Sequence, residues 1–190
     1  MARTRASLTA ALHGLLAVER LDDITVSALC REANVHRTTF YGHFSDVGEF
    51  AASVFVRELD DIARVDIDPA ADDAVETVRA AYAESLTNLL EHVAAERSAY
   101  RTLFASTIGA RLRTALTERL RERALVAMTV WESKGVATTI DNAAASAYIA
   151  GGLVGSIEHW VVRDGATDDD AHDYSATVLQ LMPAWWPRPA

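Results

Sequence analysis

The chain has a single cysteine, no long uninterrupted apolar run and no excess of positive charge, and each shortage excludes something. The lone Cys30 rules out an intramolecular disulfide, and on an apolar helix face it reads as a small core residue rather than a nucleophile. Every apolar stretch is broken by Asp, Glu, Arg or His well short of the ~18–20 residues a membrane span needs. Met1-Ala2-Arg3-Thr4-Arg5 is a basic start with no apolar region or cleavage site after it, so no signal peptide is expected. These points together imply a cytoplasmic protein with no membrane partner. No strand alternation and no solenoid-length repeat is present.

Catalytic and metal-binding patterns are also missing. The six histidines are scattered without a zinc spacing. Asp66-Ile67-Asp68 lacks the later glycine and terminal glutamate of a calcium loop. Asp168-Asp169-Asp170 with His172 and Asp173 is read more simply as a helix start, with Thr167 and Asp168 as caps favoured by the helix dipole. Ser85, Ser106, Ser146 and Ser156 carry no nucleophile-elbow motif. The glycines near residue 151 follow no strand and lack the Lys-Ser/Thr pair of a phosphate loop. No catalytic set, metal site or cofactor is expected, and the chain is not read as an enzyme.

What is present is helix. A content of 50 % hydrophobic residues over 190 residues supports a real core in one or two domains. Leu8, Ala11, Leu12, Leu15 and Leu16 mark a first helix, with Arg3 and Arg5 ahead of it as a mobile arm. Asp46 caps a long helix running to about Val65, and Asp66–Asp73 breaks it around Pro69. Further stripes follow: Val75–Val93, Tyr100–Ile108, Leu112–Trp131 ending near Lys134-Gly135, Ala143–Val162, and Asp169–Met182. Pro183, Pro187 and Pro189 stop the last helix, leaving Trp185 and Trp186 to pack back on the bundle or enter an interface.

The most specific stretch is Thr25–Phe44. Thr25 is suited to cap a short helix, and Val26, Leu29, Cys30 and Ala33 give that helix one apolar face. Asn34 stands where the chain must turn sharply, being the residue after glycine most tolerant of a left-handed conformation. Phe40 and Phe44 point inward from a second helix. Arg37, Thr38, Tyr41 and Gly42 are left facing out. Arginine reads guanine with two hydrogen bonds, and Thr, Tyr and His groups hold phosphates. This is the layout of a DNA-reading helix-turn-helix.

Residues 8–50 resemble the TetR family of one-component transcriptional repressors, through Ala33-Asn34-Val35 followed by Thr39-Phe40-Tyr41-Gly42-His43-Phe44. The resemblance implies base-facing roles for Ser27, Arg37, Thr38 and Gly42, and phosphate contacts for Thr39, Tyr41 and His43, with Arg3 and Arg5 touching DNA beside them. It departs from the family at His36, where a serine cap is common, at Gly42, where a larger side chain often sits, and at Val47, where a lysine typically grips the backbone. The implied fold is all-α: an N-terminal three-helix DNA-binding domain over 1–46, and a helical effector-binding and dimerisation domain over 47–190. The implied function is a ligand-responsive repressor that binds a palindromic double-stranded operator as a homodimer and is released by a small-molecule effector.

Two further sets of residues belong to that reading. An apolar or aromatic effector is expected among Tyr82, Leu86, Phe104, Met128 and Trp131, a stripe that also suits plain core. Ala143, Ala147, Gly151 and Gly155 place small residues at every fourth position of one face, where each interior glycine costs about 1 kcal/mol against alanine and calls for a close approach. Dimerisation through the last two helices, over 141–163 and 169–182, is what the resemblance implies. It puts Ala147, Tyr148, Gly151, Gly152, Gly155, His159 and Trp160 at the interface, with packing inside one subunit as the alternative.

Charge argues the other way. The net charge is −9, and even residues 1–50 hold five arginines against six acids, for a net −1. A protein that coats nucleic acid is basic. Weak non-specific binding and reliance on a dimer are therefore expected. A helical interaction or adaptor module with a purely structural helix-turn-helix, and an enzyme using a histidine in the bundle cavity, remain as other readings.

Overall fold

The computed structural model describes residues 2–68, 70, 72–136, 141–163, 171–183 and 186. Its elements are α1 (Ala2–Leu16), a short 3-10 turn (Leu21–Asp23), α2 (Val26–Glu32), α3 (Arg37–Tyr41), α4 (Val47–Ile62), α5 (Val75–Ala95), α6 (Arg97–Ala105), α7 (Gly109–Ser133), α8 (Asn142–Val162) and α9 (Ala171–Leu181). Among the described residues there is no strand, and no helix is long and apolar enough to cross a membrane. The chain forms two compact units: Met1–Glu58 with Arg97–Ala115, and Leu59–Glu96 with Leu116–Ala190. The expected helix caps at Thr167 and Asp168 and the tail residue Trp185 lie outside the described residues.

In the first unit, α1 buries Leu8, Ala11, Leu12 and Leu16. α4 contributes Val47, Phe50, Ala51, Val54 and Phe55, and α6 adds Ala99, Tyr100, Leu103 and Phe104. Ring contacts hold these together: Phe50 lies 5.9 Å from Phe40 and 4.9 Å from Phe44, and Phe55 lies 5.1 Å from Tyr100. Most of α4 and the 97–115 segment therefore fall in the unit that holds the helix-turn-helix, which extends well past residue 46. At the head of α4 a Cβ on Gly48 would come within 2.5 Å of the Ile108 side chain, so the close approach of 48 and 108 needs glycine. The threonine after α6 ties in as well, the Thr107 hydroxyl donating to Asp22 Oδ1 at 2.9 Å.

The mobile arm is corrected. α1 begins at Ala2, so Arg3 and Arg5 are helical, and Arg5 donates from Nη2 to the Ser53 carbonyl and hydroxyl. The break after α4 comes at Ile62, three residues before the expected Val65.

In the second unit, α5 and α9 pack along each other, joined by the Thr87 hydroxyl donating to Ser175 Oγ at 3.3 Å. The Tyr174 hydroxyl donates to the Ser156 carbonyl at 2.8 Å, and its ring stacks on Trp160 at 5.0 Å. α7 ends as its sequence directs. Gly135 takes φ +69°, its N–H bonds the Glu132 carbonyl, and the Val136 N–H reaches back to Trp131. Asp141 caps α8 through its carboxylate on the Ala143 N–H at 2.9 Å.

Candidate nucleic-acid interface and effector cavity

The helix-turn-helix is assembled by local signals. Thr25 Oγ1 accepts from the Ala28 N–H at 3.1 Å and starts α2. At its end Asn34 adopts φ +52°, the Asn34 N–H bonds Arg31, and the Val35 N–H bonds the Cys30 carbonyl at 2.9 Å. This is the same closure that Gly135 makes, with asparagine in the left-handed position. His36 then occupies the N-cap of α3 with no side-chain cap bond. Phe40 is fully buried, whereas Ser27, Arg37, Thr38, Thr39, Tyr41, Gly42 and His43 are all exposed. The outer side of the second helix thus carries a polar, exposed surface. Burial pushes the Cys30 thiol up against the pull of the Arg37 charge, which keeps it protonated and unreactive at neutral pH.

Beside this surface a groove of about 620 Å³ is lined by Thr4, Arg5, Leu8, Thr39, Phe40, His43, Phe44 and Arg57. It brings together three of the expected phosphate-contacting residues, Arg5, Thr39 and His43, and adds Thr4 and Arg57. The Arg5 guanidinium lies 5.9 Å from the Phe44 ring centroid. The nearby acids are engaged elsewhere. Ser45 donates to Glu49 from both its N–H and its hydroxyl, and the Glu49 N–H donates to Asp46 at 2.7 Å, a capping arrangement for α4. The Ser45 hydrogen bonds hold the Glu49 carboxyl below its usual range. Val47 is buried, so it serves the core, not the DNA side.

The second unit contains an apolar cavity of about 90 Å³. Of the expected ligand residues, Tyr82 and Leu86 line it, and Phe104, Met128 and Trp131 do not. Phe104 belongs to the first unit, and Met128 and Trp131 are buried in the core. Trp131 stands one ring back, 5.2 Å from Tyr82 and 6.3 Å from Trp186, and its Nε1–H finds no hydrogen-bond partner among the described residues. Burial pushes the Tyr82 hydroxyl up to about 12, so it stays a neutral phenol. Sequence reasoning missed Ser85, Arg123, Leu153, Met182 and Trp186 at the wall. Among the described residues Arg123 is the one charged group lining it. Its Nε donates to Asp60 Oδ1 at 2.6 Å, and Arg119 Nη2 donates to Asp60 Oδ2 at 2.6 Å.

On α8, Ala147, Tyr148, Gly151, Gly152, Gly155 and His159 are exposed, Tyr148 at 65 %. A Cβ on any of these three glycines would meet nothing within 4 Å. The close approach that excuses interior glycine is therefore not made by any of the described residues. Trp160 differs: it is fully buried against Tyr174 and belongs to the core rather than the exposed face. A shallow depression of about 230 Å³ next to the glycines is edged by Tyr148, Gly152, Val178 and the exposed Leu181.

No family model matches the chain, and no curated protein matches it by sequence. Solved structures match across nearly its whole length. A TetR transcriptional regulator from a Rhodococcus species aligns at 14 % identity over 96 % of this chain and 97 % of that one, with a TM-score of 0.63. The transcriptional regulator FadR from Bacillus subtilis, solved with stearoyl-CoA, aligns at 18 % identity over 96 % and 99 %, with a TM-score of 0.67. RolR, solved with resorcinol, aligns at 23 % identity over 94 % and 87 %, with a TM-score of 0.62. The class is thus an all-helical protein with an N-terminal helix-turn-helix, and the particular fold is that of the TetR-like regulators.

Proposed function

We propose that this protein is a ligand-responsive transcriptional repressor that acts by binding, without catalysis, in the cytoplasm. The observation that carries the reading is the polar outer surface of α3 set beside the Arg5–His43–Arg57 groove. In this role Arg37 and Thr38 read base edges, with Ser27 and Gly42 next to them, and Thr39, Tyr41, His43 and the α1 arginines hold the backbone. The domain division proposed is DNA reading centred on the helix-turn-helix of residues 1–46, to which Arg57 of α4 adds, and effector binding and dimerisation within 47–190.

The bare glycine face of α8 supports a homodimer, because a second subunit would supply the close contact that no described residue makes. A two-fold dimer presents two recognition helices about 34–36 Å apart to a palindromic operator. An effector in the cavity favours a conformation with the wrong spacing, and shifts the equilibrium by no more than its differential affinity for the two states. With a net charge of −9, binding must depend on local contacts and on the dimer.

The test is footprinting of the purified protein on the DNA upstream of its own gene, across a salt series, with the stoichiometry measured by light scattering. A protected palindrome with two chains bound is expected. No protection at low salt by folded, ligand-free protein would replace this reading with that of an adaptor module.

A further inference from the structure

We propose that the effector is a compact aromatic monocarboxylate, held in the α5–α7–α8–α9 cavity with its carboxylate on Arg123. This inference rests on the reading of that cavity as the effector site. The walls are Leu86, Leu89, Ala127, Ile149 and Leu153, closed on one side by the rings of Tyr82 and Trp186, whose centroids lie 6.2 Å apart at 81°. Such walls take an apolar body with a flat face, and a cavity of about 90 Å³ keeps that body near one ring.

Arg123 decides the charge. Among the described residues no acid lines the cavity, so a ligand ammonium would meet only the like charge of the guanidinium. A second ligand anion would be left desolvated without a counter-ion, which is costly in an apolar site. Arg123 spends its Nε on Asp60, and among the described residues no hydrogen bond engages its two Nη groups. A planar fork with free terminal donors suits a planar carboxylate. The Ser85 hydroxyl and the neutral Tyr82 phenol on the same wall add donors for a carboxylate or a ring substituent.

The anchor carries a consequence for regulation. Asp60 sits in the last turn of α4, a continuous helix that begins at Val47 in the unit holding the helix-turn-helix. Arg119 also pairs with Glu122, so the cluster of Asp60, Glu122, Arg119 and Arg123 is balanced as two acids and two bases. A ligand carboxylate adds a third negative charge beside Asp60 and competes with it for the Arg123 guanidinium. The end of α4 is loosened when the cavity fills, and by reciprocity a state that grips Asp60 binds the acid less well.

The experiment is a binding titration of the full chain with benzoate, phenylacetate and salicylate, each beside its amide, and with benzylamine. It is read by calorimetry and by the emission of Trp131 and Trp186, which flank Tyr82. The acids are expected to bind about tenfold or more tighter than their amides, the amount a charge-assisted hydrogen bond supplies. Arg123→Gln should abolish that preference and leave amide affinity within about twofold. If Arg123→Gln misfolds because Asp60 is left unpaired, the paired variant Asp60→Asn with Arg123→Gln carries the same expectation. Leu153→Phe, which fills the cavity, should lower acid and amide affinity together. Equal affinity for acid and amide, tightest binding of benzylamine, an acid preference that survives Arg123→Gln, or no binding of any of these compounds would overturn the proposal. Footprinting of the same preparations separates the two readings. Operator protection without acid binding sinks the carboxylate proposal alone, and Arg123-dependent acid binding without operator protection sinks the repressor reading alone.

Discussion

Arg5 in the second turn of α1 donates from one guanidinium nitrogen to both the carbonyl and the hydroxyl of Ser53 in α4, at 3.1 and 3.2 Å. An arginine that sequence places on a mobile arm is thereby fixed at the wall of the groove beside the recognition helix. It joins two helices and presents charge at a defined place. Arg5→Ala should lower stability by about 1–2 kcal/mol, through the lost charged hydrogen bonds and the lost packing of its stem. It should also weaken DNA binding to all sequences alike and reduce the salt slope by about 1. Ser53→Ala removes only the hydroxyl partner and should cost less than about 1 kcal/mol. Denaturant titration of both variants beside the salt series tests the pair. Unchanged salt dependence in Arg5→Ala would leave Arg5 a purely structural residue.

Arg37 and Tyr41 are both exposed on α3, yet they should fail differently. Arg37→Ala is expected to cost about 1–3 kcal/mol and to relax preference at one base pair, as the loss of a guanine reader does. Tyr41→Phe removes a phosphate-holding hydroxyl and should weaken all operators equally. Selection of bound sequences from a random DNA pool separates the two effects. An unaltered preference in Arg37→Ala removes it from base reading.

Asn34 provides a backbone test that needs no DNA. With φ +52° it holds the turn between α2 and α3 in the left-handed region, where a residue with an ordinary Cβ is strained by about 1–2 kcal/mol. Asn34→Ala should destabilise the protein by about 1 kcal/mol, and Asn34→Gly should be neutral or slightly stabilising, since glycine carries no Cβ. Thermal melts of the two variants compared with the parent chain give the order directly.

The contrast between Asn34 and Arg123 shows how far the sequence could be read. The Asn34 turn, the Thr25 cap and the buried Phe40 rest on neighbours within a few residues, and those signals are visible in a single chain. The helix stripes were equally visible, because a period near 3.6 is imposed by burial of one face. Arg57 and Arg123 were missed because only packing places them, Arg57 beside α1 and α3, and Arg123 at a cavity wall shared with α5, α8 and α9. Phe104, Met128 and Trp131 were expected at the cavity because a large side chain on an apolar stripe carries the same signal whether it fills the core or lines a space. Arg5 was placed on an arm because a basic terminus gives no sign of a partner 48 residues away.

Asp60 makes stability depend on acid in a predictable direction. Burial raises its carboxyl pKa, but the hydrogen bonds and charges of Arg123 and Arg119 outweigh that effect and hold it below the usual range. A carboxyl with a lowered folded pKa contributes stability that is fully present above its unfolded value near ~3.9 and is lost as pH falls through the folded value. The chain should therefore lose part of its stability below about pH 4 on this account. Asp60→Asn should flatten that part of the profile and cost roughly 2 kcal/mol at neutral pH, between the values for exposed and buried pairs. Denaturation midpoints from pH 3 to 7 for the two proteins test both statements, and parallel profiles would show that Asp60 is not the responsible group.

Glycines at 109 and 151 sit in long helices but should respond to alanine in opposite ways. A Cβ at Gly109 would collide with the carbonyl oxygen of Phe104, a backbone atom that cannot rotate away. Gly109→Ala should therefore destabilise the chain by about 1–3 kcal/mol, as overpacking does. At Gly151 and Gly155 a Cβ meets nothing within 4 Å. Alanine there should stabilise an isolated subunit by up to about 1 kcal/mol per site, from helix propensity alone. If this face of α8 closes on a second subunit, the same methyl groups push the partners apart, and Gly155→Leu should do so more strongly. The expected result is a folded protein that runs as a monomer in light scattering and has lost operator affinity, with its helical content and melting temperature intact at low concentration. A Gly155→Leu protein that stays dimeric would move the interface elsewhere on the chain.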